Sequence, residues 1–460
     1  MQSTSTSPPF EVPGSPPPSD SGAPPPEAGP STEPDVEVLD EEPRSILLAL
    51  ISQLTIGMDL HRVTLPTFIL ETRSMCERLT DFMSHPDLII GENSIPKIQD
   101  PVDRFIAITR FFLSGWHIRP KGVKKPYNPV LGEFFRCTWE LPDKSTSFYV
   151  CEQVSHHPPI SAYTYINPHH NIYITGDLRP KSRFLGNSAA TLMQGSFRVR
   201  FPSLSNEEYC ITFPNVYVRG ILFGRMFMEL SDVATISCEE TGLQANLEFK
   251  SKASSPGALL GGERNLNAVE GCIQRKSDGV DIALVSGKWS DALFVERLAQ
   301  SQSLPQQQQT DSTGNSTDGL FRTKGSGTPV AKRTGFIQGV LNGLPRLPYA
   351  LSSASEPNVE NRESLFIVNE AMILSKNIAP ESDMEEFESR RLWRHVTQGL
   401  QERNLDFATE QKSAIEDNQR TVCKNREDAK VEWVSRFFVP VGDEWKFDIE
   451  EYVSSIFFQC

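Results

Sequence analysis

Two adjacent histidines followed by two prolines stand in the stretch Glu152-Gln153-Val154-Ser155-His156-His157-Pro158-Pro159-Ile160-Ser161-Ala162-Tyr163. Paired imidazoles can ligate a metal, act as a general base, or donate hydrogen bonds to an anion such as phosphate. Metal binding fits poorly. Neighbouring side chains on an extended chain point to opposite faces, and neither H-x-x-x-H nor C-x-x-C accompanies the pair. Base catalysis lacks a nucleophile motif such as G-x-S-x-G. Anion binding stays open, beside a role in a turn satisfied by backbone.

A second group of chemical residues precedes the histidines. Residues 117–134 form a connector broken by prolines and glycines, carrying Arg119, Lys121, Lys124 and Lys125. Lys125, Pro126 and Asn128 lie just before Leu131-Gly132-Glu133 and a strand. A proline-stiffened loop with Lys and Asn is suited to holding a phosphate or carboxylate. A third group is Lys412, Glu416 and Arg420, at i, i+4 and i+8 on one helical stripe. Alone, that stripe reads as an exposed salt-bridge ladder, worth roughly 0.3–0.5 kcal/mol per pair.

The elements that must position these groups can be read from periodicity. Pro158 biases His157 toward extended geometry, and neither proline can donate to a sheet ladder. Residues 147–151 and 160–165 read as strands, so the imidazoles stand at a break between them. From about 134 to 298 the pattern has period two: Phe197, Val199 and Phe201 alternate with Arg198 and Arg200. Many short strands between Gly, Asn and Asp turns predict a large antiparallel sheet or barrel. Upstream, Arg44 to Leu54 is apolar nearly all round but only about three turns long. It predicts a core helix or a cover over something apolar. A helix is predicted from about 71 to 83, with Met75, Leu79 and Phe82 on one side. Another opens at Asp100-Pro101, and a last helical region begins at Glu386.

Composition narrows the function classes. The net charge of −14 over 460 residues is concentrated in residues 1–42, which hold nine acids, many prolines and no Lys or Arg. That segment predicts a disordered acidic tail, and the rest is only mildly acidic. No dominant basic face points to nucleic acid. Eight cysteines without paired spacing suit a reducing compartment. Neither a signal sequence nor an apolar run of membrane-spanning length is visible. Residues 299–360 predict a disordered insertion. Within it, 331–349 is a basic, apolar candidate for membrane or partner binding.

Together these pieces resemble the lipid-binding domain of the oxysterol-binding protein family. Glu152 to Pro159 matches that family's signature E-Q-V-S-H-H-P-P without departure. Lys124 to Glu133 and the Lys412/Glu416/Arg420 stripe extend the likeness over residues 44–460, apart from 299–360. Leu65-Pro66-Thr67-Phe68-Ile69-Leu70-Glu71 is similar to the phosphatidylserine-carrying subgroup more than to the sterol-carrying one.

The resemblance implies a mainly β fold with flanking helices: a near-closed antiparallel β-barrel around an apolar lipid tunnel, an N-terminal helical lid and a C-terminal helical region. The domain expectation is a tail at 1–42, a lid at 43–70, and the barrel with its helices at 71–460, interrupted at 299–360. Phosphatidylinositol 4-phosphate is the implied shared ligand, met by Lys125, Asn128, His156, His157, Lys412, Glu416 and Arg420. Leu65, Ile69, Asn128 and Ser188 are the implied contacts of phosphatidylserine, with sterol as the alternative second cargo. The implied activity is exchange of one lipid at a time under the lid, with no bond made or broken. That implies no catalytic residue, no metal and no cofactor. The implied protein is a cytoplasmic monomer, peripheral at contact sites between endoplasmic reticulum and plasma membrane, with no nucleic-acid partner.

Overall fold

The computed structural model describes residues 36–60, 63–91, 94–251, 266–298 and 362–448. The predicted tail up to residue 35, the 299–360 insertion and its 331–349 peptide lie outside the described residues.

The chain opens with β1 (Glu37–Val38), α1 (Glu41–Ile51), β2 (Leu70–Ser74), α2 (Met75–Arg78), α3 (Pro101–Ser114) and β3 (Lys125–Tyr127). The period-two region then folds into β4 (Phe134–Glu140), β5 (Thr146–His156), β6 (Pro159–Asn167), β7 (Ile172–Phe184), β8 (Ser188–Phe201) and β9 (Glu207–Thr212). It continues through β10 (Asn215–Arg219), β11 (Arg225–Cys238), β12 (Leu243–Phe249), β13 (Ala268–Arg275), β14 (Asp281–Lys288), β15 (Ala292–Arg297) and β16 (Arg362–Ile367). Helices α4 (Ser389–Leu392), α5 (Arg394–Gln401) and α6 (Leu405–Asp428) precede a hairpin of β17 (Phe438–Val441) and β18 (Glu444–Phe447).

One antiparallel sheet of 14 strands runs β16-β15-β14-β13-β12-β11-β10-β8-β7-β6-β5-β4, with β9 joining β8 and β11, and β1 joining β11. Alternation decides which face is buried: Phe197, Val199 and Phe201 are core, while Arg200 is exposed. The end strands β4 and β16 do not pair with each other. The chain after β16 crosses the gap instead. Leu374 N donates to Ser84 O at 3.0 Å, and Thr138 and Asn377 exchange backbone bonds of 3.0 and 2.7 Å. Phe134 N then donates to Phe387 O at 3.0 Å. The mainly β expectation holds, and the curled sheet is sealed by a strap rather than by strand pairing.

Helix α3 starts as its sequence predicts. Asp100 Oδ1 accepts from Val102 N at 2.7 Å and Asp103 N at 3.2 Å, with Pro101 at the first helical position. It buries Phe105, Ile108, Phe111 and Phe112 against the sheet. A fork from Arg104 to Glu207 (3.0 and 2.8 Å) fastens it to the start of β9.

Three boundaries differ from the sequence reading. Residues 36–42 are not all tail: Glu37 and Val38 pair with Met226 and Arg225, and α1 begins at Glu41 and ends at Ile51. The helix predicted over 71–83 is β2, then the short α2, then a 3-10 turn at Leu79–Met83. A parallel partner accounts for this, since Leu70 registers with Lys125 and Ser74 with Tyr127. Strand pairing outweighs a weak helical preference there. The C-terminal helices begin at Ser389 rather than Glu386, because Phe387 O is held by Phe134 and the Glu388 carboxylate by Arg136 Nε at 2.5 Å.

Candidate functional site

β5 ends at His156 and β6 begins at Pro159, so the two histidines and prolines form the turn between them. The His157–Pro158 peptide is cis. The sequence reading placed neighbouring imidazoles on opposite faces; the turn corrects this. The chain leaves strand geometry after His156, and the rings stand 4.7 Å apart at 67°. His157 is exposed and His156 half-buried. His156 Nδ1 lies 3.1 Å from the Pro129 carbonyl. A carbonyl only accepts, so Nδ1 carries the hydrogen and Nε2 donates only when the ring is protonated.

The rest of the motif is scaffold. Glu152 accepts from Ser435 Oγ (2.7 Å), Arg436 N (2.9 Å) and Phe437 N (2.8 Å), tying the turn to the C-terminal segment. Gln153 accepts from Ser161 Oγ at 2.5 Å and donates to Ser155 O at 2.8 Å. Its backbone bonds Gly132 N (2.9 Å) and Glu133 O (2.8 Å). The histidine turn and the Lys125–Glu133 loop are therefore one hydrogen-bonded unit.

Glu133 anchors that loop. It is buried and accepts from Ser74 Oγ, Ser389 Oγ (2.7 Å), Trp393 Nε1 (2.8 Å) and Val130 N (3.1 Å). Burial raises its carboxyl pKa, against the lowering effect of those donors. Tyr127 stacks on Trp393 (4.7 Å, 23°), and its hydroxyl pairs with Thr397 Oγ1 at 2.9 Å. These contacts set β3 against the C-terminal helices.

α6 then brings Lys412 to Lys125. Lys412 is buried, which corrects the exposed-ladder reading of its stripe, and its Nζ lies 2.7 Å from Glu416 Oε1. Arg420 sits 3.8 Å from Glu416, also pairs with Asp417, and is exposed. α6 reaches this position because α5 packs closely on it: a Cβ on Gly399 would lie 2.9 Å from Ala408 Cβ. Burial pushes the Lys125 ammonium down to about 8; Lys412 pushes the same way and Glu416 opposes them. Two lysines and one acid therefore share a desolvated corner.

A cavity of about 280 Å³ adjoins this corner. Its walls are mostly apolar. α1 and the turn after it supply Leu47, Leu50, Ile51 and Leu54; strands β8 to β11 supply Met193, Val216, Val218 and Met228. Leu65, Ile69, Asn128 and Lys125, named above as implied ligand contacts, line it too. Ser188 does not: it is buried at the start of β8, and its neighbour Ala189 faces the cavity. His156, His157, Lys412, Glu416 and Arg420 are likewise not lining residues. Lys125 and Asn128 join the polar group to the apolar space.

Two features escaped sequence reasoning. Lys124 Nζ donates to Glu37 Oε1 (2.7 Å) and to the Phe68 carbonyl (2.9 Å), although Glu37 lies 87 positions away in the presumed tail. No spacing rule links them. Arg119, read as a solvated loop cation, lies over the Trp289 ring at 5.2 Å, and both residues line the cavity. Among the described residues, no helix is long and apolar enough to cross a membrane.

A family model described as Oxysterol-binding protein matches residues 49–455. The chain is 39% identical over 417 residues to the oxysterol-binding protein-like protein OBPalpha of Candida albicans, covering 90% of this chain and 81% of that one. Among solved structures, the fold is similar to the Osh1 ORD domain in complex with ergosterol (TM-score 0.64, 24% identity, 93% of this chain and 91% of that chain). It is also similar to the Osh3 ORD from Saccharomyces cerevisiae in complex with PI(4)P (TM-score 0.57, 16% identity, 91% and 92%).

Proposed function

Because this chain belongs to the oxysterol-binding protein family, we propose that it is a lipid-transfer protein, carrying phosphatidylinositol 4-phosphate and phosphatidylserine in turn, one at a time, beneath α1. The observation that carries this reading is Lys125, which lines the apolar cavity and shares a desolvated corner with Lys412 and Glu416. An amphiphile with a phosphorylated headgroup suits both halves of that arrangement. Lys125, Lys412 and Arg420 supply charge for phosphate oxygens, and His156 and His157 donate when protonated. Asn128 and Glu416 order the cations or the inositol ring. Acyl chains enter the cavity, where burial is worth roughly 0.8 kcal/mol per methylene.

Phosphatidylserine is the second cargo in this reading, meeting Leu65, Ile69 and Asn128 in the cavity wall, with Ser188 acting from behind Ala189. The lid leaves at a membrane, one lipid is exchanged for another, and the lid recloses. No covalent step is involved. The protein works from the cytoplasm as a monomer, at contact sites between endoplasmic reticulum and plasma membrane. Sterol is the alternative cargo, favoured by one observation: a solved relative of the same fold holds ergosterol.

Liposome extraction tests the reading. His156→Ala with His157→Ala is expected to abolish phosphoinositide extraction while serine-lipid extraction suffers less. Unchanged phosphoinositide transfer overturns the assignment. Leu65→Asp is expected to abolish phosphatidylserine extraction; wild-type uptake in that variant favours sterol. Native mass spectrometry of the expressed protein identifies the cargo directly.

A further inference from the structure

Three turns far apart in sequence meet beside the lid and leave apolar side chains in solvent. Ile56, after α1, is 78% exposed; Leu185, between β7 and β8, is 41% exposed; Leu222 and Phe223, between β10 and β11, are 40% and 69% exposed. Backbone bonds knit the turns together. Gly57 N donates to Phe184 O (2.7 Å), Ile221 N to Asn187 O (3.3 Å) and Leu222 N to Asn187 Oδ1 (3.0 Å). The Ile56 side chain lies over Gly186, where a Cβ would stand 3.8 Å from its Cδ1. Gly220 (φ 75°) and Gly224 (φ 65°) bracket the Leu222-Phe223 turn and let it project. The rim continues into the cavity: Leu54, Phe184 and Ile221 line the cavity and are each within two residues of an exposed tip.

We infer that this rim is a bilayer-insertion surface, whose tips at Ile56, Leu185, Leu222 and Phe223 enter the acyl region of a membrane beside the lid. The inference rests on the lipid-transfer reading. Turn tips rather than a groove form the surface, so a partner helix or strand has nowhere to lie. A bilayer needs only the tips. Continuity with the cavity gives an acyl chain a path between membrane and protein that avoids water. Among the described residues flanking these turns, exposed Arg44, Lys181, Arg183 and Arg225 are matched in number by exposed Asp40, Glu41, Glu42 and Asp59. Apolar insertion, not attraction to anionic headgroups, therefore drives attachment, and binding tolerates salt and neutral lipid.

The test is co-sedimentation of the full chain with small phosphatidylcholine vesicles at low and high salt. Wild-type protein is expected to sediment at both. Phe223→Asp is expected to lower the vesicle partition coefficient about tenfold, the loss of one inserted aromatic ring. Val280→Asp, which changes an exposed apolar residue on the β13–β14 turn, is expected to leave binding unchanged. Binding of a short-chain, water-soluble phosphatidylinositol 4-phosphate needs no vesicle, and the Phe223 variant is expected to keep it. That readout tests the lipid-transfer reading separately. Wild-type sedimentation by the Phe223 variant overturns the insertion surface. So does binding that requires anionic lipid or vanishes at high salt, an equal loss in the Val280 variant, or a Phe223-dependent dimer in light scattering.

Discussion

Lys124 and Glu37 clamp the chain on both sides of α1, the proposed lid. The Lys124 ammonium holds the Glu37 carboxylate before α1 and the Phe68 carbonyl after it, at 2.7 and 2.9 Å. The Val123 amide takes the other Glu37 oxygen at 2.7 Å. Both charged side chains are mostly shielded, so the contact outweighs an exposed ion pair. Lys124→Met removes about 1 kcal/mol of lid closure, or about fivefold in the open-to-closed ratio. Faster lipid exchange between vesicles and faster proteolysis ahead of residue 68 are expected, with the barrel's unfolding midpoint unchanged. Equal exchange rates in mutant and parent would remove the clamp from the lid's energetics.

At the proposed phosphate site, Lys125 is expected to make binding pH-dependent. Burial and Lys412 hold its ammonium near pKa 8, and a bound phosphate favours the charged form. Binding therefore takes up a proton above that pH. Affinity is level with respect to Lys125 below about pH 8 and weakens by up to about tenfold per unit above it. The unliganded fold has the opposite sign. Its unfolded lysine keeps a proton up to about 10.5, so this group makes the empty protein more stable as pH rises from 8 toward 10.5. Calorimetric titration with a soluble phosphoinositide at pH 7 and 9, in buffers of differing ionisation enthalpy, measures the uptake. Lys125→Met should abolish it; a persisting slope would assign the proton elsewhere.

Glu416 offsets the repulsion between the two lysines. Glu416→Gln leaves Lys412 and Lys125 facing each other with less opposing charge. The Lys125 midpoint should move below 8, since Glu416 is the group raising it. The empty protein should lose about 1–2 kcal/mol of stability, because Lys412 is buried and its 2.7 Å partner weakens. Inorganic phosphate should restore part of that loss in a thermal melt, and more for the mutant than for the parent.

Local pattern carried much of the fold and little of the site's closure. Alternation at Phe197, Val199 and Phe201 and the cap at Asp100 depend on near neighbours, so their strand and helix were readable. β2 was not, because its identity rests on Lys125 and Tyr127 some fifty positions later. The histidine pair was legible as a break between strands but not in its ring geometry: a strand rule puts the rings apart, and the turn after His156 puts them together. The Lys412 stripe was legible as one line along α6, while the burial of Lys412 depends on packing that spacing does not encode. Glu37 carried no signal at all, since an acid among acids looks like solvent-facing charge.

Glu133 is the last test, because it joins the loop to elements on either side. Its buried carboxylate accepts from β2 at Ser74, from α4 at Ser389, from Trp393 and from its own turn at Val130. Glu133→Ala leaves those donors orphaned where water has little access, and roughly 3 kcal/mol or more of stability is expected to go. Glu133→Gln keeps one acceptor oxygen but turns an amide N–H₂ toward a donor, so an intermediate loss is expected. Because Trp393 also stacks on Tyr127, loosening it separates β3 from the C-terminal helices and weakens the Lys125–Lys412 corner. Phosphoinositide affinity should therefore fall in step with the urea midpoint across the two variants. Glu133→Ala with the parent's midpoint, or full affinity at a lowered midpoint, would uncouple the loop's anchor from the proposed phosphate site.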